Sequence, residues 1–227
     1  MIRNILLDLD DTLLDFKAAE KQAVHRVLTQ YGVAVTEEIL QRYSQINDSQ
    51  WKRLERGEIT VDEVKVHRYE LLFEELGVQA NAAQVTKDYE GFLAAQHPVL
   101  PGARVMMEAL FGRYRLYLVS NGTARVQNQR LDDSGFRRYF DGVFLSQDIG
   151  FNKPNPAFFD ACFEQIEGFD KAQSVILGDS LTSDILGGNQ AGICTVWYNP
   201  HGKTASGIQP SYQISSLTDF VKLVEKL

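Results

Sequence analysis

The sequence predicts an α/β protein, a doubly wound (Rossmann-like) parallel sheet with a helical domain inserted after its first strand. Three observations carry that reading. Short, almost wholly apolar runs recur along the chain and end in polar or acidic residues, as in strands that are buried on both faces and deliver side chains to their carboxyl edge. The gaps between the later runs suit single helices, and strands alternating with helices imply parallel pairing. The gap between the first two runs, residues 15–98, is far longer than one crossover helix requires.

Taken in order, residues 2–9 form the first apolar run, and Asp8, Asp10 and Asp11 lie at its end. Residues 116–119 precede Ser120-Asn121-Gly122, 143–145 precede Ser146, 175–177 precede Gly178-Asp179, and 195–198 precede Asn199-Pro200. Helices are expected over 124–133, 155–165 and 181–191. Inside the long gap the apolar residues fall at helical spacing in four groups: Val24, Val27, Leu28 and Tyr31; Ile39, Tyr43 and Ile46; Val64, Leu71, Leu72 and Leu76; Val85, Tyr89, Phe92 and Leu93. Gly32, Gly57 and Gly77 separate these groups, and Thr36, Thr60 and Asn81 are the expected N-caps. Pro98 and Pro101-Gly102 mark the return to the sheet. The expected organisation is a core of residues 1–15 and 98–227 and a four-helix cap of residues 16–97.

With 227 residues, 44% hydrophobic and 23% charged, the chain has the make-up of a globular protein large enough for a core and a smaller companion domain. No apolar run reaches membrane length and no basic leader precedes residues 5–7, so a cytoplasmic protein is expected. Its 23 basic and 30 acidic residues leave a net charge of −7, which argues against a nucleic-acid polymer or an anionic membrane as partner. Cys162 and Cys194 are too few for a disulfide framework and read as small apolar residues in a reducing compartment. His25, His67, His97 and His201 carry no metal-ligand spacing.

Five carboxylates follow strands that a doubly wound sheet brings together: Asp8, Asp10, Asp11, Asp179 and Asp184. Acids gathered so closely would in part protonate unless a cation neutralised them. Oxygen ligands alone favour Mg2+, which binds few carboxylates and pairs with phosphate. Any one of these acids reads naturally as a solvated cap or turn, whereas a set of five behind apolar strands does not. Asp11 reads equally as the acid at a helix entry and is left out of the reactive set.

Residues 5–14, ILLDLDDTLL, resemble the first motif of the haloacid dehalogenase (HAD) superfamily of phosphohydrolases, two acids two positions apart followed by a threonine. Val119-Ser120-Asn121-Gly122 is similar to the second motif, Lys153-Pro154 to the third, and residues 178–184, GDSLTSD, to the fourth, in family order and with family spacing. The helical insertion resembles the family's C1 type of cap. The resemblance implies that Asp8 is the nucleophile and forms an aspartyl-phosphate. Asp10, on the same face of the strand end, would protonate the leaving alcohol and then activate water. Mg2+ would be held by Asp8, Asp179 and the backbone carbonyl of Asp10, with Asp184 orienting waters or Lys153 from behind the ligands. The Ser120 hydroxyl and the Asn121 and Gly122 amides would receive phosphoryl oxygens. Lys153 would bring a compact positive charge to the phosphoryl group and to Asp8, and Thr12 would bond the loop or orient Asp8.

Asp10 points to phosphate chemistry, since the dehalogenase branch has no use for an acid at that position. Residues 150–159, GFNKPNPAFF, and 178–200 are most similar to the bacterial pyrimidine 5′-nucleotidase subgroup, described as house-cleaning enzymes. That implies a Mg2+-dependent phosphomonoesterase acting on a small phosphorylated metabolite, a nucleotide, as a monomer or homodimer. A sugar-phosphate or phosphoglycolate phosphatase is the first alternative and a phosphomutase the second. A receiver-like phosphoacceptor domain would share the sheet and acidic pocket, but carries its acceptor on the third strand and lacks the long insertion. Trp51 in the cap and Phe16 after the first motif are flat rings able to stack on a base. Trp51 reads equally as bundle core, and Arg56 as part of a solvated face.

Overall fold

The computed structural model describes residues 1–205 and 207–227. The chain forms two compact units, Met1–Phe16 together with His97–Leu227, and Lys17–Gln96. Among the described residues the first unit is built on a six-stranded sheet of β1 (Asn4–Leu7), β2 (Arg115–Ser120), β3 (Gly142–Leu145), β4 (Ser174–Gly178), β5 (Cys194–Tyr198) and β6 (Tyr212–Ile214). The order is β3-β2-β1-β4-β5-β6 and every pairing is parallel. The chain winds outward in both directions from β1, so the switch point where ligands bind in such sheets lies at the carboxyl end of β1. Leu7 pairs with Leu118 on one side and Leu177 on the other, which brings the residues that follow these strands to one edge.

Side chains alternate across the sheet, so each strand feeds two cores. Ile5, Leu7, Leu116, Leu118, Val175 and Leu177 pack on one face, and Leu6, Tyr117, Val119 and Ile176 on the other. Both faces are apolar, which is why these strands read as unbroken hydrophobic runs rather than alternating ones.

The second unit holds α1 (Phe16–Gln30, entered from the first unit), α2 (Glu37–Glu55), α3 (Val61–Leu76) and α4 (Ala82–Ala94). Their starts follow local chemistry. Thr36 Oγ1 accepts from the Ile39 amide, Asn81 Oδ1 from the Gln84 amide, and Thr60 forms a reciprocal capping box with Glu63. Gly77 ends α3 at a φ of 65°, a left-handed turn that a side chain would oppose. Val24, Val27, Leu28, Tyr43, Ile46, Val64, Tyr69, Leu72, Val85 and Tyr89 are buried; Leu71, expected in the same stripe, faces solvent at 39% exposure.

Flanking the sheet are α5 (Ala103–Leu110), α6 (Ala124–Asp133), α7 (Ser146–Ile149), α8 (Pro156–Glu164), α9 (Leu186–Ala191) and α10 (Leu217–Val224). The helix expected over 181–191 begins with a π-helical turn, Leu181–Ile185, before α9. Four elements, β6, α5, α7 and α10, had no counterpart in the sequence reading. β6 is a short edge strand with two of its three residues exposed, so it lacks the apolar run. α5 and α10 put Met106, Met107, Leu110, Leu217, Phe220 and Val224 into the same core. Cys162 is buried and Cys194 only half-buried.

Candidate active site

The site is assembled at the carboxyl end of β1. Asp8 follows Leu7 directly, and its amide donates to the Leu177 carbonyl at 3.0 Å, which extends the strand pairing by one residue. Its carboxylate is buried and accepts a hydrogen bond from Lys153 Nζ at 2.8 Å on Oδ1. Lys153 Nζ donates also to Asp184 Oδ1 and to the Val119 carbonyl, both at 2.7 Å. All three donors of this ammonium are therefore used, and the side chain is 1% exposed. Its main chain is held by Asn121, whose side-chain amide contacts both the N–H and the C=O of Lys153.

Asp184 is fixed from its own loop, with Oδ2 accepting from the Ser180 amide at 3.1 Å. Gly178 makes room for it: a Cβ there would lie 2.2 Å from Asp184 Oδ2. Asp179 is set by Trp197, whose buried indole donates to the Asp179 carbonyl at 2.8 Å. Carboxylate oxygens of Asp8, Asp179 and Asp184 lie within 4.8 Å of one another. Three convergent carboxylates, two of them buried, make a donor set that fits a hard divalent cation of the Mg2+ type.

Burial pushes the Asp8 carboxyl up to about 7, with Lys153 opposing and the charges of Asp184 and Asp10 adding to the rise. For Lys153 burial works against the charged form, but Asp184 and Asp8 outweigh it and hold the ammonium above its ordinary range. The lysine thus stays cationic while Asp8 is poised near neutrality, and a second cation beside Asp8 would favour its ionised form.

Asp10 sits at the same strand end, with Oδ2 accepting from Gln127 Nε2 at 2.6 Å and Oδ1 ion-paired to Arg130. Gln127 Nε2 reaches Ser120 Oγ as well, at 2.8 Å, and the Gly122 amide donates to the same hydroxyl at 3.3 Å. Ser120, Asn121 and Gly122 therefore stand beside Asp8, Asp10 and Lys153. One reading is extended and one changes. The Asn121 side chain braces the Lys153 loop, a task distinct from the phosphoryl contact expected of its backbone amide. The Thr12 hydroxyl is buried and has no hydrogen-bond partner among the described residues, so it makes none of the bonds expected of it. Asp11 accepts from the Phe16 amide at 3.0 Å and so caps the entry to α1. Asp184, expected behind the ligands, bonds to Lys153 and has a carboxylate oxygen in the acidic cluster itself.

Trp51 belongs to the other unit, where it packs half-buried against Leu54, Ile59 and Val64. Arg56 is exposed and paired with Glu58. Residues that sequence reasoning passed over are Gln127, Arg130 and Trp197. The first two left a trace: they stand three apart on the face of α6 that carries Val126 and Leu131, so polar side chains occupy an otherwise apolar stripe.

A doubly wound parallel sheet with a lysine-bridged carboxylate pair and a third acid at its switch point defines a hydrolase of the haloacid dehalogenase type. The chain belongs to that family: the family model described as haloacid dehalogenase-like hydrolase matches residues 2–192. It is 38% identical over 224 residues to the pyrimidine 5′-nucleotidase PynA of Streptococcus pneumoniae, covering 98% of this chain and 94% of that protein. Against the pyrimidine 5′-nucleotidase YjjG of Escherichia coli the identity is 33% over 226 residues, covering 98% and 97%. The crystal structure of the HAD-hydrolase YfnB of Bacillus subtilis bound to magnesium superposes with a TM-score of 0.94 at 37% identity, covering 98% of each chain. No helix among the described residues is long and apolar enough to cross a membrane.

Proposed function

We propose that this chain is a cytoplasmic, Mg2+-dependent phosphomonoesterase that hydrolyses pyrimidine nucleoside 5′-monophosphates through an aspartyl-phosphate on Asp8, with residues 16–97 as the cap that selects the leaving group. One observation carries the chemistry: the Asp8 carboxylate, buried at the switch point, is oriented by an ammonium that also holds Asp184. The nucleotide specificity draws on the likeness to two pyrimidine 5′-nucleotidases along almost the whole chain.

In the first step an Asp8 oxygen attacks phosphorus, the bond to the ester oxygen breaks, and Asp10 gives its proton to the departing alcohol. In the second, Asp10 takes a proton from water, which attacks phosphorus and returns Asp8 with release of phosphate. Lys153 keeps Asp8 aimed and offsets phosphoryl charge, and Ser120 with the Asn121 and Gly122 amides receives phosphoryl oxygens. Asp8, Asp179 and the Asp10 carbonyl would hold Mg2+, with the Asp184 carboxylate beside them; bound there, the ion supplies charge neutralisation at the phosphoryl group.

Turnover measured in parallel on dUMP, dTMP, phosphoglycolate and hexose phosphates tests the specificity, with the pyrimidine nucleotides expected to lead. Equal rates across the panel would reject the nucleotidase assignment while leaving a phosphatase, and a lead for phosphoglycolate or a hexose phosphate would move the assignment to that substrate. Asp8→Asn is expected to abolish turnover with the fold intact, and Asp10→Asn to slow it by roughly 100-fold to 10,000-fold. Retained turnover in Asp8→Asn would refute the mechanism.

A further inference from the structure

We propose, on the reading of Asp10 as acid and base given above, that Arg130 and Gln127 are positioning residues which aim the Asp10 carboxylate and tie it to the phosphoryl-binding hydroxyl of Ser120. Asp10 lies beyond the end of β1 with 28% of its side chain exposed. A carboxylate there would ordinarily turn between rotamers. Both of its oxygens are instead engaged: Arg130 Nη1 pairs with Oδ1, and Gln127 Nε2 donates to Oδ2 at 2.6 Å.

The two donors also hold each other, since Arg130 Nη1 donates to Gln127 Oε1 at 2.9 Å. Because Gln127 Nε2 reaches Ser120 Oγ at 2.8 Å, one amide links a residue expected to receive phosphoryl oxygen to the residue expected to protonate the leaving group. Gln127 and Arg130 project from one face of α6, three residues apart, as that spacing requires. Gly122 lets Gln127 come this close, because a Cβ there would stand 2.4 Å from Gln127 Nε2.

Burial shows that this arrangement is more than surface pairing. The Arg130 side chain is 0% exposed. A guanidinium is placed that deep at a large desolvation cost, and an apolar side chain between Val126 and Leu131 would avoid it. The interior accepts the charge where its Nη1 meets a carboxylate whose direction decides proton transfer and the amide that shares that carboxylate. A misplacement of about 1 Å in such a group costs on the order of 100-fold in rate.

The test compares the wild type with Asp10→Asn, Arg130→Lys, Gln127→Leu and the Arg130→Lys/Asp10→Asn double variant. Each is assayed with Mg2+ on dUMP, whose sugar alkoxide needs a proton to leave, and on p-nitrophenyl phosphate, whose leaving group does not. The readout is the first-turnover rate of leaving-group release. Arg130→Lys keeps the charge and loses the guanidinium that joins Asp10 to Gln127; it and Gln127→Leu are expected to slow dUMP by about 10-fold to 100-fold, with KM within about 3-fold for Arg130→Lys. On p-nitrophenyl phosphate the loss from Arg130→Lys should stay under about 3-fold and that from Gln127→Leu, which also releases Ser120, should stay well below its loss on dUMP; in the Asp10→Asn background Arg130→Lys should cost nothing further. If both variants slow the two substrates equally, or if Arg130→Lys adds to Asp10→Asn, the positioning role is overturned and the acid role of Asp10 stands. If Asp10→Asn itself slows the two substrates equally, the acid role falls and the positioning role with it. Should Arg130→Lys fail to fold, Gln127→Leu decides by the same comparison.

Discussion

Asn121 grips the main chain of Lys153 from both sides, its Nδ2 donating to the Lys153 carbonyl at 2.9 Å and its Oδ1 accepting from the Lys153 amide at 2.8 Å. The ammonium that bridges Asp8 and Asp184 is therefore set in place by an amide from the end of β2. Asn121→Ala removes both bonds and leaves the Lys153 peptide groups to find other partners. The expected loss is about 1–3 kcal/mol of stability together with a fall in kcat, because Lys153 Nζ loses its fixed reach to Asp8. Thermal unfolding and steady-state kinetics check the two parts separately; a variant with wild-type kcat would show that the lysine is held without Asn121.

Gly178 closes β4 where Asp184 folds back, and a Cβ there would overlap the Asp184 carboxylate at 2.2–2.5 Å. Gly178→Ala must displace Asp184, and with it the hydrogen bond to Lys153 and one oxygen of the acidic cluster. Disturbing groups that support metal ligands typically costs roughly 10-fold to 100-fold in affinity or activity. Mg2+ binding by calorimetry should weaken by that factor while circular dichroism reports an unchanged fold. Unweakened binding would remove Asp184 from any part in holding the ion.

How much of this was legible in the sequence depended on how local the cause was. β1 and its acids could be read because a strand buried on both faces is written as a continuous apolar run that stops where the side chains meet the site. The caps at Thr36, Thr60 and Asn81 could be read because capping joins residues three apart. Leu71 misled because helical spacing names a stripe but not its edges. The partnership of Asp10 with Gln127 and Arg130 spans 117 and 120 positions, and nothing local announces it. Asn121 reads as a phosphate-loop residue by its place in a motif, while its side-chain bonds run to a loop 32 residues away. β6 escaped because an edge strand with two exposed residues has no apolar run to show.

The helical unit carries its own buried ion. Arg68, 4% exposed, donates to Asn47 Oδ1 at 3.0 Å, and Asn47 in turn donates to Glu20 Oε1 at 2.6 Å. The guanidinium also lies 4.6 Å from the ring centre of Tyr89 and 5.4 Å from that of Tyr69. Arg68→Met would remove the donor that Asn47 Oδ1 accepts and the positive charge that faces Glu20 through Asn47, at a cost of about 1–3 kcal/mol by the usual effect of leaving a buried polar group unsatisfied. Glu20→Gln added to Arg68→Met should recover part of that loss in chemical denaturation. Strict additivity of the two changes would show that the charges do not sense each other through Asn47.

Asp8 makes the metal-free protein sensitive to pH in a direction its burial fixes. Its carboxyl moves from an unfolded value of 3.8 to about 7, burial being the largest cause. Between these values the folded chain keeps a proton that the unfolded chain has released, so stability from this group is full below 3.8 and is lost as pH rises through about 7. In chelator, Asp8→Asn lacks that loss and should be more stable than the wild type near pH 8, by about 1–4 kcal/mol, with the gap closing near pH 4. With the ligand set proposed above, added Mg2+ should reverse the order at pH 8, because the ion would stabilise the folded wild type through the ionised carboxylate and would find a ligand missing in the variant. Thermal midpoints of both proteins across pH 4–8, with chelator and with Mg2+, check all three statements; a wild type that gains on the variant as pH rises in chelator would show that Lys153, and not burial, governs Asp8.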